Sequence, residues 1–515
     1  MRSLSPLPFR SSLFRSGYLQ KQRGTMLSSR SNIMNLNVLL RRVNFTASLH
    51  LKKRRTTKTW SDVPNDNVPA SGKLVSFQLK TNFDLLRALL ILRISSMETF
   101  VDHSEKILKT TKKLVGQRIF DAVLRSTFYG QFAGGESMPI LEKNVKKLRS
   151  AGIRSMLCIP IETTASNEDD LKLGTEMWQK NTEIVKGCID MTDKLERGGF
   201  SQIKLTALCE PELLLCMNKE LIGYEYGHKE PLEWDIRRVG ELLETESYQD
   251  IDIPSFSEQT NSQLRMALER FDQLAKISNK MGLRLMLDAE QTYVQAALAY
   301  FVLVLQQKYN KEKPVVYNTY QCYRKDTLKR VKADHDYATA NGFKIAGKLV
   351  RGAYMVEERR IASETGKDDP INDGFERTTE MYHSVVDYIL PLVKENRAGV
   401  MIASHNEETI SYVLQRVKDL GLSLATSDVC FAQLYGMCDH VTEALAKMNC
   451  EVYKSVPYGT VDSTLLYLTR RAQENRSVMQ RTVVERKIIM NELAERLKRG
   501  FGFNQKKYKE QSSTA

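Results

Sequence analysis

Two adjacent arginines near the carboxyl-terminal end of the chain carry the sharpest chemical pattern. In DSTLLYLTRRAQEN, the residues Tyr467, Arg470, Arg471 and Glu474 are spaced at i, i+3, i+4 and i+7, so they share one face of a predicted helix. Each guanidinium can donate two parallel hydrogen bonds, which suits the pair to a planar carboxylate. Taken alone, the residues also fit a solvated basic helix face with Glu474 as an ordinary i,i+4 ion-pair partner.

A second set of polar residues stands at or near the ends of short apolar runs. These residues are Asp288, Gln321, Arg351 with Tyr354, His405 and Ser455. In a β/α barrel such strand ends surround the mouth of the active site. A buried polar side chain without a partner costs about 1 to 3 kcal/mol, so the set indicates a shared ligand or a dense hydrogen-bond network. For any one of them, a local structural hydrogen bond explains the residue equally well.

The apolar runs themselves predict the fold. Eight of them alternate with stretches of helical periodicity, and they are SMLCIP, QIKLTALC, RLMLDAE, PVVYNTYQ, IAGKLVRGAY, VMIASHN, VCFAQLYG and CEVYKSVPYG. Short apolar strands separated by helices are typical of parallel β/α units, and eight units favour a closed barrel. We therefore predict an α/β protein with a distorted (β/α)8 TIM-like barrel and an N-terminal helical segment. A doubly wound sheet is the alternative.

Composition divides the chain into segments. The predicted order is a basic head at 1–61, a helical segment at 77–150, the barrel at 151–500 with an acidic insertion outside the core at 225–262, and a polar tail at 504–515. Residues 462–500 are expected to form two helices. The run AALAYFVLVL at 296–305 is too short to span a bilayer and predicts a buried helix, so any membrane contact is expected to be peripheral.

The positive charge is concentrated in the head. The formal net charge is +14, and 13 of the 76 Lys and Arg residues lie in the first 61 positions, which contain no Asp or Glu. The other 63 are balanced by 62 acidic residues, so the body lacks the basic surface that nucleic-acid binding requires. An Arg-rich, acid-free head is typical of a mitochondrial transit peptide, and a disordered basic tail is the alternative.

Several other kinds of site are disfavoured. The chain has no GxGxxG or Walker A segment, which argues against a Rossmann domain or a P-loop. Its histidines form no HxxxH or HExxH pair, so no metal is expected, and the DHD sequence at 334–336 is interpreted as a solvated helix face. The eight cysteines form no CxxC pair and are expected to be reduced core thiols.

The strand-end segments resemble the proline dehydrogenase family. Six of them occur in the family's order and spacing over residues 80–500: LMLDAE, YNTYQ, KLVRGAY, ASHNEE, QLYGMCD and YLTRRAQEN. The resemblance implies a distorted β/α barrel that binds FAD at the carboxyl ends of its strands. It also implies oxidation of L-proline to 1-pyrroline-5-carboxylate, with electrons passed to ubiquinone by an enzyme of the mitochondrial matrix that is peripheral to the inner membrane.

The resemblance also assigns roles to residues. It implies that Arg470 and Arg471 hold the substrate carboxylate. It places Lys204, Asp288, Tyr354 and Tyr467 around the amine and ring. The positions that line the flavin in relatives match Gln321, Lys348, Val350, Arg351, Gly352, Ala353, Ser404, His405 and Glu474. Lys348 and Ser455 are counted with the catalytic group as well.

One position departs from the usual pattern of the family. Ser455 stands where typical proline dehydrogenases have a Tyr that packs on the proline ring, so a roomier and more polar pocket is expected. In this it resembles the animal hydroxyproline dehydrogenase branch, which makes trans-4-hydroxy-L-proline the alternative substrate. Two different classes remain open: another barrel enzyme, such as a lyase or a flavin-dependent folate reductase, and a catalytically silent binding protein.

Overall fold

Eight parallel strands close into a barrel. The computed structural model describes residues 77, 79–97, 104–159, 161, 171–221, 236–425, 427–474 and 482–500. The strands are β1 Arg154–Cys158, β2 Phe200–Ile203, β3 Arg284–Leu287, β4 Val316–Gln321, β5 Ile345–Val350, β6 Ala398–Ala403, β7 Val429–Leu434 and β8 Val452–Pro457. Each pairs with the next, and β8 pairs with β1. The predicted barrel is confirmed, and the doubly wound alternative is wrong.

Helices precede the barrel and connect its strands. In chain order they are α1 Asn82–Ser95, α2 Ser104–Val115, α3 Gln117–Ser126, α4 Phe128–Phe132, α5 Met138–Arg149, α6 Leu171–Leu195, α7 Pro211–Leu221, α8 Ile236–Glu244, α9 Glu258–Lys280, α10 Thr292–Tyr309, α11 Thr327–Ala340, α12 Met355–Thr365, α13 Gly374–Lys394, α14 Glu407–Asp419, α15 Asp439–Lys447, α16 Val461–Glu474 and α17 Thr482–Gly500. The last two are the pair expected at 462–500. The described residues fall in the compact unit Lys58–Ala515. The predicted presequence and polar tail lie outside them.

An apolar plug fills the lower part of the barrel interior. Its members are Met156, Phe200, Met286, Tyr317, Ala346, Met401, Cys430, Ala432 and Tyr453. The ring of Phe200 meets those of Tyr317 and Tyr453 edge to face, at centroid distances of 4.9 and 5.2 Å. Because side chains alternate along a strand, the residue two positions beyond a plug residue also faces inward, one layer closer to the carboxyl end.

Charged side chains close the opposite, amino-terminal end. The guanidinium of Arg284 lies 4.0 Å from the centre of the Phe200 ring and donates to Glu451 (2.6 Å) and to the Tyr453 hydroxyl (2.7 Å). Arg154 donates to the same Glu451 carboxylate at 2.8 Å. This end is therefore sealed by a paired network, which leaves the carboxyl end for a site.

Helix α10 is buried on every side, as its apolar sequence predicts. One side packs on β4, and α7, α8 and α9 cover the rest. Helix α8 belongs to the segment interpreted as an insertion outside the core, and that interpretation is wrong for its described part, 236–262. Val239 and Leu243 are buried against the barrel helices, and Gly240 lies against Gln307 where a Cβ atom would clash. In the sequence, acidic residues stand between the apolar residues of α8, which is why the segment was predicted to lie outside the core.

The first and last helices of the described chain pack against each other. Phe77, Leu85 and Leu92 form an apolar cluster with Ile489 of α17. Thr81 begins α1 with a capping box. Arg496 of α17 donates to the Phe77 carbonyl oxygen at 2.8 Å, which ties the two ends together.

Two further expectations from the sequence concern membrane and redox chemistry. Among the residues that the structure describes, no helix has the length and hydrophobicity needed to cross a membrane. All eight cysteines lie in the described residues, seven are buried, and no disulfide joins any of them. The prediction of core thiols is confirmed for these seven, whereas Cys216 on α7 is only partly buried.

The DHD sequence at 334–336 is not a solvated face. On α11, Asp334 and His335 are buried, and only Asp336 is exposed. Burial raises the pKa of Asp334 to about 7, although a 2.9 Å hydrogen bond from the Tyr320 hydroxyl opposes the shift. A raised folded-state pKa means that the carboxyl contributes most stability below about pH 4 and loses that contribution as pH rises to about 7.

We therefore expect Asp334→Asn to stabilise the protein most at alkaline pH. The amide keeps an oxygen that can accept from Tyr320 and removes the buried charge. The gain in the free energy of unfolding at pH 8 should exceed the gain at pH 5 by on the order of 2 kcal/mol, as measured by urea denaturation. Asp336→Asn is the exposed control and should show no such difference. Equal gains for Asp334→Asn at the two pH values would contradict the assignment.

Candidate active site

Four polar side chains form one layer above the apolar plug, at the carboxyl end of the barrel. They are Gln202, Asp288, Lys348 and Ser455, each two residues beyond a member of the plug. Lys348 and Ser455 are 6% exposed, and the side chain of Asp288 is 15% exposed. The layer therefore lies largely out of solvent, where unpaired polar groups would be costly.

These four side chains are joined by hydrogen bonds, and together they are called the polar row. Lys348 Nζ donates to Asp288 Oδ1 at 2.6 Å. Gln202 Nε2 donates to Asp288 Oδ2 at 2.6 Å, and Ser455 Oγ donates to Gln202 Oε1 at 3.1 Å. The structure thus brings together three of the residues predicted from the sequence, Asp288, Lys348 and Ser455.

The carboxyl of Asp288 is held in its ionised form. Burial, the largest single influence, opposes ionisation. The charge of Lys348, the hydrogen bonds from Lys348 and Gln202 and the charge of Lys204 together outweigh it, so the pKa of Asp288 is lowered. Asp288 therefore contributes stability above about pH 4 and loses that contribution as pH falls through the lowered pKa. Near neutral pH the carboxylate can only accept hydrogen bonds.

Lys204 directly follows β2 and is half-buried. It begins the short 3-10 helix Leu205–Ala207, so its backbone leaves the barrel wall at the mouth. Its influence on the Asp288 carboxyl is electrostatic, which agrees with the predicted place of Lys204 beside Asp288.

At the end of β4, Gln321 is part of a local network. Its Nε2 donates to the Glu290 carbonyl oxygen and to the Tyr323 hydroxyl, both at 2.8 Å. Glu290 in turn accepts a hydrogen bond from Thr206 through its side chain. The amide of Gln321 is therefore oriented by residues of the segments that follow β3 and β4, at one edge of the mouth.

The charge of Arg351 is directed toward outer helices. Its guanidinium donates to the hydroxyls of Thr379 on α13 (2.7 Å) and Thr409 on α14 (2.8 Å), and it lies 4.6 Å from the centre of the Phe375 ring. These contacts position the loop after β5 between two helices. They do not join Arg351 to the polar row.

The loop after β5 contains a conformationally strained residue. Val350 ends β5, and Gly352 and Ala353 lie in the loop that follows; all three are half-buried. Tyr354 follows with a φ of 54°, in the left-handed region, and α12 begins after it. A bulky residue in that region is uncommon and costs on the order of 1 to 3 kcal/mol, and such residues cluster at functional sites.

The segment after β6 presents one buried polar atom that a ligand could satisfy, on Asn406. His405 Nε2 accepts from the Leu434 backbone N–H at 3.0 Å, so the neutral ring carries its proton on Nδ1. Ser404 Oγ accepts from the Asn406 N–H, and Asn406 Oδ1 accepts from the Thr409 N–H at the start of α14. The Nδ2 atom of Asn406 is buried and has no acceptor among the described residues.

Helix α16 lies over the end of β1. Tyr467 is buried and packs with Leu468 of the same helix and with Cys158 of β1. This contact sets the height of α16 above the mouth, near the polar row. Three predicted site residues share this helix, and their side chains lie outside the described part of the chain: Arg470, Arg471 and Glu474.

Gln202 was not among the site residues predicted from the sequence. Its signal was available: it lies two residues after the plug residue Phe200, in the same inward alternation that places Ser455 after Tyr453. In the run QIKLTALC only Lys204 was assigned a role, and that assignment came from the family resemblance. The sequence pattern does not show that Ser455 is the hydrogen-bond partner of Gln202, because the two residues come from β8 and β2 and meet across β1.

Comparisons with known proteins give consistent results. The family model for proline dehydrogenase matches residues 141–483. A hydroxyproline dehydrogenase of Xenopus laevis is 36% identical, over 84% of this chain and 90% of its own. Proline dehydrogenase 1, mitochondrial, of Homo sapiens is 32% identical, over 82% of this chain and 89% of its own.

A solved structure has the same fold. Proline utilization A from Bdellovibrio bacteriovorus superimposes with a TM-score of 0.53 at 19% identity. The match covers 78% of this chain and 38% of that much longer one. At this identity the likeness concerns the barrel architecture alone.

Proposed function

This chain belongs to the proline dehydrogenase family, and on that premise we propose that it oxidises L-proline to 1-pyrroline-5-carboxylate at the barrel mouth with FAD as cofactor. The observation that carries the proposal is the polar row, in which a buried Lys348 holds Asp288 ionised at the carboxyl end of the strands. An ionised carboxylate in a largely buried layer can stabilise positive charge on a neighbouring group.

The substrate's own chemistry calls for such a group. When the ring carbon next to nitrogen loses a hydride, the nitrogen lone pair completes a C=N bond and positive charge develops there. The amine must therefore be neutral before reaction. Asp288 favours the developing charge by electrostatics, and no proton transfer to it is required. Lys204, Tyr354 and Tyr467 bound the pocket around the ring, and Arg470 and Arg471 bind the carboxylate.

The residues at the ends of β4 to β6 fit a flavin. The buried Asn406 amide lacks an acceptor among the described residues, so its Nδ2 group can donate to a ligand. Ala403 and Ala432 present only methyl groups in the inward layer, which leaves space for a planar ring. The holding residues are Gln321, Lys348, Val350, Arg351, Gly352, Ala353, Ser404, His405 and Glu474. When bound, the flavin supplies the acceptor for the hydride.

The second candidate substrate is trans-4-hydroxy-L-proline. It is favoured by Ser455, a small hydroxyl residue on the inward face of β8 whose Oγ is already oriented by Gln202. A pocket that hydrogen-bonds a substrate hydroxyl discriminates strongly, whereas extra space alone discriminates weakly. The hydroxyproline dehydrogenase relative supports this candidate as well.

Ubiquinone is the proposed electron acceptor, and the mitochondrial matrix, at the periphery of the inner membrane, is the proposed location. The support for the location is the acid-free basic head at 1–61 and the mitochondrial designation of a relative. The electron acceptor follows from the family resemblance.

The function is tested by the absorbance of the purified full-length protein. We expect a bound flavin whose visible band bleaches without oxygen when L-proline or trans-4-hydroxy-L-proline is added at equal concentration. The faster substrate identifies the preferred one. A bound flavin that neither compound bleaches would favour a silent binding protein or a folate reductase, and a colourless protein that binds no added FAD would favour a lyase.

A further inference from the structure

We infer that Gln202 is a specificity-determining residue. By setting the direction of the Ser455 hydroxyl, it makes Ser455 a hydrogen-bond acceptor for an O–H donor on the substrate ring. This inference rests on the proposed function and deepens it, since it names the chemical feature of the substrate that the pocket reads. The inference follows from the direction of each hydrogen bond in the polar row, which the charges of Lys348 and Asp288 determine.

The direction of each hydrogen bond in the row is set from its charged end. A lysine ammonium can only donate, and an ionised carboxylate can only accept. With Asp288 ionised between Lys348 and Gln202, the amide of Gln202 must turn its NH2 group toward Asp288 Oδ2, 2.6 Å away. Its oxygen then faces Ser455.

Ser455 has a single proton to donate. Because Gln202 presents Oε1 at 3.1 Å, the Ser455 hydroxyl gives that proton to Gln202 and retains its lone pairs as acceptors. The positive charge of Lys348 thus fixes the donor and acceptor roles of the next three side chains, Asp288, Gln202 and Ser455, across the mouth. Without Gln202, the Ser455 hydroxyl could rotate and would act equally well as donor or acceptor.

The position of the pair allows the hydroxyl to reach a ligand. Ser455 and Gln202 face inward from β8 and β2, one layer above the plug, and β1 lies between them. At this layer β1 contributes Cys158, whose side chain packs under Tyr467 of α16. A ring bound under α16 would therefore lie next to Ser455.

A substrate hydroxyl that donates to Ser455 completes the row. Proline has only C–H bonds at the corresponding ring carbon and leaves the acceptor of Ser455 unsatisfied. A fluorine substituent has similar size and strong polarity but cannot donate. The structure therefore predicts discrimination between trans-4-hydroxy-L-proline and trans-4-fluoro-L-proline, two ligands that differ chiefly in the ability to donate.

The test compares kcat/KM for these two compounds within each variant of the full-length holoenzyme. The wild type should prefer the hydroxyl compound by about tenfold, the discrimination that one hydrogen bond supplies. Gln202→Met keeps the volume and removes the polarity, so the preference should fall to about twofold. Because both compounds are measured on the same protein, any general loss of activity cancels in the ratio.

Ser455→Ala gives a second measurement that does not require Gln202→Met to fold. It should reduce the ratio to the same low value, and the double variant should be no lower, because Gln202 acts through Ser455. Ser455→Tyr should shift preference toward L-proline. A ratio unchanged by Gln202→Met or by Ser455→Ala, or a wild type that prefers the fluoro compound, would overturn the inference. Failure to oxidise proline, hydroxyproline and fluoroproline alike would instead overturn the proposed function, and the inference with it.

Discussion

Asp288→Ala is expected to reduce kcat/KM for the preferred substrate by about a hundredfold or more and to destabilise the fold by about 3 kcal/mol. Both effects follow from one contact. Lys348 is 6% exposed and pairs with Asp288 at 2.6 Å, so removal of the carboxylate leaves a buried ammonium without its counterion. Steady-state kinetics and urea denaturation measure the two effects separately.

The double variant Asp288→Leu with Lys348→Met separates the catalytic role from the structural one. Replacing a buried ion pair by apolar residues of similar volume is often neutral or stabilising, so the free energy of unfolding should recover. Activity should not recover, because the field that favours the developing positive charge is gone. A double variant that regains both stability and activity would show that the pair serves only the fold.

An exposed ion pair provides the matched control. Arg377 and Glu380 on α13 pair at 2.7 Å with side chains 70% and 61% exposed. Glu380→Ala should leave both activity and stability close to the wild-type values, because solvent screens such pairs. The contrast with Asp288→Ala isolates the effect of burial.

The architecture was predictable because its signal is local. A parallel strand buried on both faces is a short apolar run, and each of the eight runs overlaps one strand, in the order in which the chain presents the strands. The all-round apolar character of 296–305 likewise predicts a helix covered on every side. Five of the six motifs behind the family resemblance lie at the carboxyl ends of these strands and the sixth lies on α16, and the family is confirmed by the matched model and relatives.

What the sequence could not supply are partners from distant elements. The burial of the apolar face of α8 depends on its packing against α10, which the local sequence does not show. The acidic composition of this segment therefore led to the prediction that it is exposed to solvent. Asp334 looked solvated for the same reason, because the Tyr320 hydroxyl that reaches it comes from β4. The sequence predicted Arg351 at the mouth, but its guanidinium donates to Thr379 on α13 and to Thr409 on α14.

The site residues also divide into those that a single strand predicts and those whose role depends on several elements. Strand-end position predicted Asp288 and Ser455, since inward alternation is a property of one strand. The role of Gln202 depends on three strands at once, because it bridges β3 and β8 from β2. The polar row is therefore a tertiary feature whose members are individually ordinary in the sequence.

Arg470→Ala or Arg471→Ala is expected to raise KM for L-proline by about tenfold or more, through loss of charge-assisted hydrogen bonds to the carboxylate. The support is the spacing on α16, where Tyr467 at i is buried against β1 and the two arginines follow at i+3 and i+4. Arg499→Ala on α17, 59% exposed, is the control and should leave KM unchanged.

L-prolinamide, which has no carboxylate charge, makes the assignment specific. The wild type should prefer L-proline over L-prolinamide, and each alanine variant should lose about tenfold of that preference. The reason is that L-prolinamide lacks the carboxylate and the alanine variant lacks one of the guanidinium groups that bind it. Arg470→Lys or Arg471→Lys should recover only part of it, since an ammonium keeps the charge but not the two parallel donors. If the alanine variants weaken both compounds equally, the arginines act on the fold of α16 or on the cofactor, and the carboxylate must be bound by other residues.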